Sequence, residues 1–127
     1  MRIATCRCGA LEALCSGEPA RISICHCLDC KRRTGSAFSL NATFRRDRVK
    51  IRGEAQSFTR TSDEGYWGRQ GFCGRCGTTV YYEIERRSGM ITVPVGGFAD
   101  PDFPPPTVEV YGERRPARLP VLTQNQE

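Results

Sequence analysis

The chain has 127 residues and a mass of 14.2 kDa, with 39% hydrophobic residues, 26% charged residues and a formal net charge of +5. This length predicts one domain with a modest core, and a mean hydropathy of −0.46 without an apolar run of about 18 residues excludes a transmembrane helix. We expect the domain to cover residues 1–122, followed by a frayed tail at 123–127.

The first half of the chain predicts short strands separated by turns. Strands are expected over 11–15 and 20–25, and Ile22 and Ile24 share one face of the second. Residues 29–34 are expected to form one helical turn that Gly35 stops. Strict alternation over 38–44 predicts a strand on which Phe38 and Phe44 face the core.

The second half continues the same pattern. Further strands are expected over 49–51, 80–84, 90–95 and 107–111, the last after a proline-rich loop. Trp67 either lines a cleft or fills the core, and the core is the expectation because most large aromatic side chains are buried. Together these segments predict a mostly antiparallel β domain with zinc-binding turns.

Eight cysteines indicate the chemistry of the protein. No apolar signal segment follows Met1, so we expect a cytoplasmic protein whose thiols stay reduced. Clustered cysteines then favour metal ligands or redox pairs over disulfides, since a disulfide across one intervening residue is strained. Seven of the eight lie in three tight groups: Cys6 and Cys8; Cys25, Cys27 and Cys30; Cys73 and Cys76.

Counting ligands suggests how two zinc ions would share these thiolates. A structural zinc takes four ligands, and the two groups with a CysXCysGly or CysXXCysGly pattern supply four together: Cys6, Cys8, Cys73 and Cys76. The remaining group, Cys25, Cys27 and Cys30, has three ligands and an open fourth position, which is typical of catalytic zinc. Cys15 or His26 could instead fill that position. We expect Cys15 to be a buried apolar residue and the His26 ring to point away from the metal.

These motifs resemble the glutathione-dependent formaldehyde-activating enzyme family, which includes centromere protein V. The segments that carry the resemblance are residues 6–10, 25–38, 72–78 and 95–101. The resemblance implies an Mss4-like β-tent of short strands, a structural zinc on Cys6, Cys8, Cys73 and Cys76, and a catalytic zinc on Cys25, Cys27 and Cys30. It also implies a carbon–sulfur lyase that joins formaldehyde to glutathione, giving S-hydroxymethylglutathione.

Charge and side-chain chemistry suggest how a substrate would be held. Residues 21–60 carry ten lysines and arginines against three acidic residues. Within them, Lys31, Arg32 and Arg33 could bind the carboxylates of a peptide thiol or merely form a solvated face. Ser36 and Thr34 could hydrogen-bond a substrate oxygen. The candidate general acids are His26, Tyr66, Tyr81 and Tyr82.

Two function classes remain open. The first is a zinc-dependent lyase acting on a thiol–aldehyde adduct. The second is a non-catalytic zinc module that binds a protein or a nucleic acid. Nucleic acid is the less favoured partner, because bound zinc thiolates lower the positive charge and Phe38 and Phe44 are expected inside. The 17 arginines against 2 lysines predict a bacterial source.

Overall fold

The computed structural model describes residues 1–117. Residues 118–127, which include the end of the expected domain at 122 and the expected frayed tail at 123–127, lie outside the described residues. No helix within residues 1–117 is long and apolar enough to cross a membrane.

The described chain consists of ten strands, an α-helix and short 3-10 turns. The strands are β1 Arg2–Thr5, β2 Glu12–Cys15, β3 Arg21–Cys25, β4 Ser39–Arg45, β5 Val49–Arg52, β6 Ala55–Thr61, β7 Trp67–Cys73, β8 Thr79–Ile84, β9 Met90–Pro94 and β10 Val108–Val110. Helix α1 is Leu28–Thr34, and the 3-10 turns are Arg46–Arg48, Glu85–Arg87, Val95–Phe98 and Gly112–Arg114.

The strands form two sheets that enclose the core. One sheet has the order β1-β2-β5 and the other has the order β10-β3-β4-β9-β8-β7-β6. Every pair is antiparallel except β10 with β3, so the predicted mostly antiparallel β fold is confirmed. The core between them is built mainly from small and branched apolar side chains, with Phe44 as its large aromatic member: Ala4, Leu11, Ala13, Cys15, Ala42, Phe44, Ile91 and Val93.

Helix α1 forms where the sequence predicts a helical turn, and its two ends explain its short length. Gly35 adopts a left-handed conformation with φ of 70° and donates its backbone N–H to the Lys31 carbonyl at 2.8 Å. At the other end, the Cys27 sulfur accepts the Cys30 N–H at 3.2 Å. The predicted stop at Gly35 is confirmed.

The β6–β7 hairpin corrects the sequence-based prediction. No strand was expected between residues 52 and 80, because the segment is polar and contains no clear alternation. Trp67, expected in the core, begins β7 and is 37% exposed. Phe38 also lies outside the core cluster, with its ring centre 6.3 Å from that of His26, whereas Phe44 is buried as expected.

A bulge changes which face β8 presents. The pairing of β7 with β8 shifts by one residue. Gly71 lies opposite Tyr81, whereas Phe72 lies opposite Thr79, so Val80 has no register partner. Val80 is buried in the core, whereas Tyr82 and Ile84 line a cleft. Val80, Tyr82 and Ile84 alternate in the sequence as residues of one face would, but the bulge places Val80 on a different face from the other two.

Candidate metal centres and the cleft between the strands

The first cysteine cluster lies where the two sheets meet. Cys6 and Cys8 follow β1, and Cys73 and Cys76 lie at the end of β7 and in the turn after it, with all four sulfur atoms within 4.8 Å of one another. The Cys6–Cys8 and Cys8–Cys73 sulfur distances are 3.7 and 3.6 Å. A tetrahedral zinc with Zn–S bonds of ~2.3 Å would separate its sulfurs by about 3.8 Å. This donor set therefore fits zinc.

Backbone N–H groups and a hydroxyl form hydrogen bonds with three of these sulfurs, those of Cys6, Cys73 and Cys76. Leu11 N–H donates to the Cys6 sulfur at 3.2 Å, and Arg75 N–H points to the Cys73 sulfur at 3.4 Å. The hydroxyl of Thr78 lies 3.4 Å from the Cys76 sulfur, and with the Thr78 N–H it lowers the pKa of Cys76 to about 5. A thiolate is the form that binds a metal.

The second cluster lies at the start of α1. Cys25 ends β3, Cys27 caps the helix and Cys30 lies in its first turn, so that their sulfurs lie within 4.8 Å of one another. The thiols share protons: hydrogen bonds from Cys25 and Cys27, helped by Ser39 and the Arg33 charge, lower the pKa of Cys30 to about 2. The same sharing raises the pKa of Cys25. Three soft donors fit zinc with room for another ligand.

Neither alternative fourth residue joins this cluster. His26 is buried, and its Nε2 lies 2.9 Å from Glu109 Oε2 on β10. Cys15 is fully buried in the core, as expected, and burial raises the pKa of its thiol to about 11. Among the described residues, the potential metal ligands of the second cluster are therefore Cys25, Cys27 and Cys30 alone.

A cleft of about 780 Å³ opens above the second cluster. All three cysteines line it, whereas those of the first cluster do not. One row of side chains crosses six strands of the large sheet and lines the same cleft, because each member pairs in register with the next: Arg21, Thr43, Thr92, Tyr82, Gln70 and Phe58. Ser23 and Asn41 form a second paired position beside it.

This row and the Ser23–Asn41 pair beside it form the polar floor of the cleft, which was not predicted from the sequence. Alternation over 38–44 reveals the strand, but it does not show whether Asn41 and Thr43 face bulk water or a cleft. Both are buried, and Thr43 shares a hydrogen bond of 3.1 Å with Thr92. Asn41 and Thr43 could have been identified from one sequence feature: strands next to the cysteine groups are rich in serine, asparagine and threonine.

Some polar atoms of the cleft have no partner within residues 1–117. They are Asn41 Oδ1, Arg21 Nε and Arg33 Nη2, and each is buried. Arg33 also places its guanidinium 4.6 Å from the centre of the Tyr82 ring. Atoms of this kind are ready to bind a ligand, because a buried polar group without a partner is costly.

The predicted basic run contributes one residue to the cleft. Arg33 lines it, while Lys31 donates to the Arg114 carbonyl at 2.6 Å and Arg32 is exposed elsewhere. Thr34 caps its own helix through the Cys30 carbonyl, and neither Thr34 nor Ser36 lines the cleft. Five further arginines line the cleft that the sequence did not single out as site residues, although two of them belong to the basic segment 21–60: Arg21, Arg60, Arg86, Arg87 and Arg114.

Two of the four candidate general acids line the cleft and two do not. Tyr66 and Tyr82 line the cleft, whereas Tyr81 packs against the core and His26 pairs with Glu109. Burial and then the negative charge of Cys30 raise the pKa of Tyr82, so its hydroxyl stays protonated to a higher pH than that of an ordinary tyrosine. Tyr82 therefore offers a hydrogen-bond donor to the cleft beside the second cysteine cluster.

Comparison with known proteins agrees with this geometry. No curated protein sequence gives a significant match to the chain. A solved structure, the crystal structure of a Rhodobacter sphaeroides protein from structural genomics, has 23% sequence identity and a TM-score of 0.59, covering 75% of this chain and 85% of the other. That likeness supports the fold. The sequence profile of one family matches residues 1–114, which is most of the chain. The chain belongs to the glutathione-dependent formaldehyde-activating enzyme family.

Proposed function

We propose that this protein is a zinc-dependent carbon–sulfur lyase acting on a thiol–aldehyde adduct, with glutathione and formaldehyde as the pair that family membership suggests. One observation carries the proposal: the three-cysteine cluster opens onto the cleft, whereas the four-cysteine cluster has a complete donor set away from it. In this proposal Cys6, Cys8, Cys73 and Cys76 hold a structural zinc. Cys25, Cys27 and Cys30 hold the catalytic one, and the protein works in the cytoplasm.

The reaction needs a thiolate, a carbonyl carbon and a proton donor. In the direction of synthesis the sulfur lone pair attacks the carbonyl carbon, the C–S bond forms, and the oxygen takes up a proton as the thiol releases one. Zinc, when bound, supplies a Lewis acid that lowers the pKa of a fourth ligand. No electrons are gained or lost overall.

Three features of the chain serve these steps. The Arg33 charge beside Cys30 offsets the negative charge of the sulfur cluster. The protonated Tyr82 hydroxyl donates to the substrate oxygen as that oxygen becomes negative. The polar floor around Thr43 and Thr92 holds the rest of the adduct.

The test is NMR exchange between formaldehyde and its glutathione adduct. The zinc-loaded protein is expected to accelerate this exchange, and Cys27→Ser is expected to abolish the acceleration while the far-UV circular dichroism stays unchanged. An unchanged exchange rate with the wild-type protein carrying two zinc ions would contradict this substrate pair.

One observation favours a second candidate, a zinc module that binds single-stranded nucleic acid. Exposed aromatic rings lie beside arginines at the cleft rim: Arg69 is 5.3 Å from the Trp67 ring centre and Arg86 is 4.7 Å from that of Tyr66. This candidate predicts salt-dependent binding of a labelled oligonucleotide that Trp67→Ala weakens. The lyase proposal predicts no such binding at physiological salt.

A further inference from the structure

We propose that Arg21 and Asn41 form a subsite for a carboxylate whose neighbouring carbon carries an N–H donor, as at the end of an amino acid or peptide. The inference rests on the proposed function in one respect: it takes the thiol of the ligand to lie at the Cys25–Cys30 cluster.

Asn41 supplies the first argument. Its side chain is 98% buried, since its relative exposure is 2%, and it faces the cleft from β4. Its Nδ2 donates to the Ser39 hydroxyl at 3.0 Å, but its Oδ1 has no partner among residues 1–117. This geometry fixes the amide with its oxygen as the free acceptor. The atom that would satisfy it is an N–H or O–H donor on a ligand.

Arg21 supplies the second argument. Its buried Nε has no hydrogen-bond acceptor within the described residues, and no carboxylate there lies within salt-bridge distance of it. A guanidinium stays charged at every physiological pH and matches the geometry of a carboxylate. Other arginines of the cleft are already engaged: Arg60 pairs with Asp29 at 3.4 Å and Arg86 with Glu64 at 3.9 Å.

The register of β3 against β4 brings the side chains of Arg21 and Asn41 close together. Arg21 pairs with Thr43 and Ser23 pairs with Asn41, so Arg21 and Asn41 are diagonal neighbours on one face of β3 and β4. Such neighbours lie about 7–8 Å apart and are within reach of a long side chain. A free donor beside a free acceptor matches a carboxylate flanked by an N–H group.

The strand also sets the length of the ligand. Arg21 and Cys25 lie four residues apart on β3 and share its cleft-facing side, a separation of about 13 Å along the strand. An arginine side chain spans part of that distance. A thiol bound at the cluster must therefore carry its carboxylate several bonds away, which fits a peptide thiol and excludes a small thiol such as 2-mercaptoethanol as the full ligand.

Calorimetric titration of the zinc-loaded protein tests the subsite without measuring catalysis. Glutathione is expected to bind Arg21→Met roughly 10- to 100-fold more weakly than the wild type, because a charge-assisted hydrogen bond is lost. The dissociation constant of 2-mercaptoethanol should not change. Arg48→Met is the matched control, since Arg48 is exposed and lies outside the cleft. Equal losses in the two variants would overturn the inference.

A ligand-side comparison keeps the test independent of how a variant folds. The dimethyl ester of glutathione should bind the wild-type protein at least about tenfold more weakly than glutathione. Arg21→Met should add no further loss for the ester, because both changes remove the same contact. Additive losses, or no detectable binding of glutathione to the wild type, would contradict the subsite.

Two dipeptides identify which end of the ligand is bound. If Arg21→Met weakens the binding of γ-glutamylcysteine but not of cysteinylglycine, the subsite holds the amino-acid end of glutathione. If it weakens the binding of cysteinylglycine alone, the subsite holds the peptide end. Loss of sensitivity with both dipeptides and with glutathione overturns the inference. If Arg21 governs glutathione binding but formaldehyde exchange is not accelerated, the lyase proposal fails and the subsite stands.

Discussion

The guanidinium of Arg33 lies 4.6 Å from the centre of the Tyr82 ring, so helix α1 and strand β8 meet in one wall of the cleft. Arg33 also acts on Cys30 through its charge. This contact joins the second cysteine cluster to the hydroxyl donor proposed for catalysis. It brings together residues that are almost fifty positions apart in the sequence.

Tyr82→Phe is expected to slow glutathione–formaldehyde exchange by about 10²–10³-fold with little change in glutathione affinity, because the donated hydrogen bond strengthens as the oxygen becomes negative. The exchange rate and the dissociation constant are both measured. Tyr81→Phe is the matched control, because Tyr81 packs against the core. A similar loss in both variants would contradict the role of Tyr82.

The raised pKa of Tyr82 also predicts a dependence of stability on pH. Below pH 10 the residue is neutral in both the folded and unfolded states and makes no pH-dependent contribution. Above about pH 10, the usual pKa of tyrosine, the unfolded state loses the phenolic proton and the folded state keeps it, so stability falls as pH rises. Thermal unfolding at pH 9 to 11.5 should show a steeper decline for the wild type than for Tyr82→Phe. Parallel declines would indicate that Tyr82 is not perturbed.

The two cysteine clusters are expected to respond differently to substitution. Cys73→Ser should lower the melting temperature by about 10 °C or more, because the structural zinc proposed for the first cluster would join the two sheets. Cys27→Ser should keep a cooperative transition while losing one of two zinc ions. Zinc content by mass spectrometry and thermal melting provide the measurement. Retention of both zinc ions in Cys73→Ser would refute this division.

Substitution of Gly53 is predicted to disturb the first cysteine cluster, because Gly53 contacts the turn after Cys6 and Cys8. It has a φ of 103°, and an added Cβ would overlap the carbonyl oxygen of Ala10, next to the Leu11 N–H that supports Cys6. Gly53→Ala should therefore weaken zinc retention against a chelator. Gly89→Ala, with a φ of 79° and open space around it, should cost only ~1–2 kcal/mol of backbone strain. Equal zinc retention in the two variants would show that the contact is not critical.

The sequence allowed the cysteine groups, the helical turn and the main strands to be predicted, because each depends on spacing within a few residues. Seven sulfurs come together in the groups of four and three obtained by counting ligands. The β6–β7 hairpin was missed because β6 is mostly exposed and neither strand shows a regular apolar alternation in its sequence. Arg21 and Asn41 were missed for another reason: their proximity depends on the register of β3 against β4, which local patterns do not specify.

Strand β10 has a consequence for how the protein is made. It pairs in parallel with β3, and the Val110 carbonyl accepts the His26 N–H at 3.0 Å between two cysteines of the second cluster. Residues 108–110 leave the ribosome long after β3, so the strand that carries Cys25 remains an open sheet edge during most of synthesis. A nascent chain that stops before Val108 exposes that edge beside the three thiols of the second cluster. Pairing of β10 with β3 is therefore the step that covers this edge and the backbone between Cys25 and Cys27.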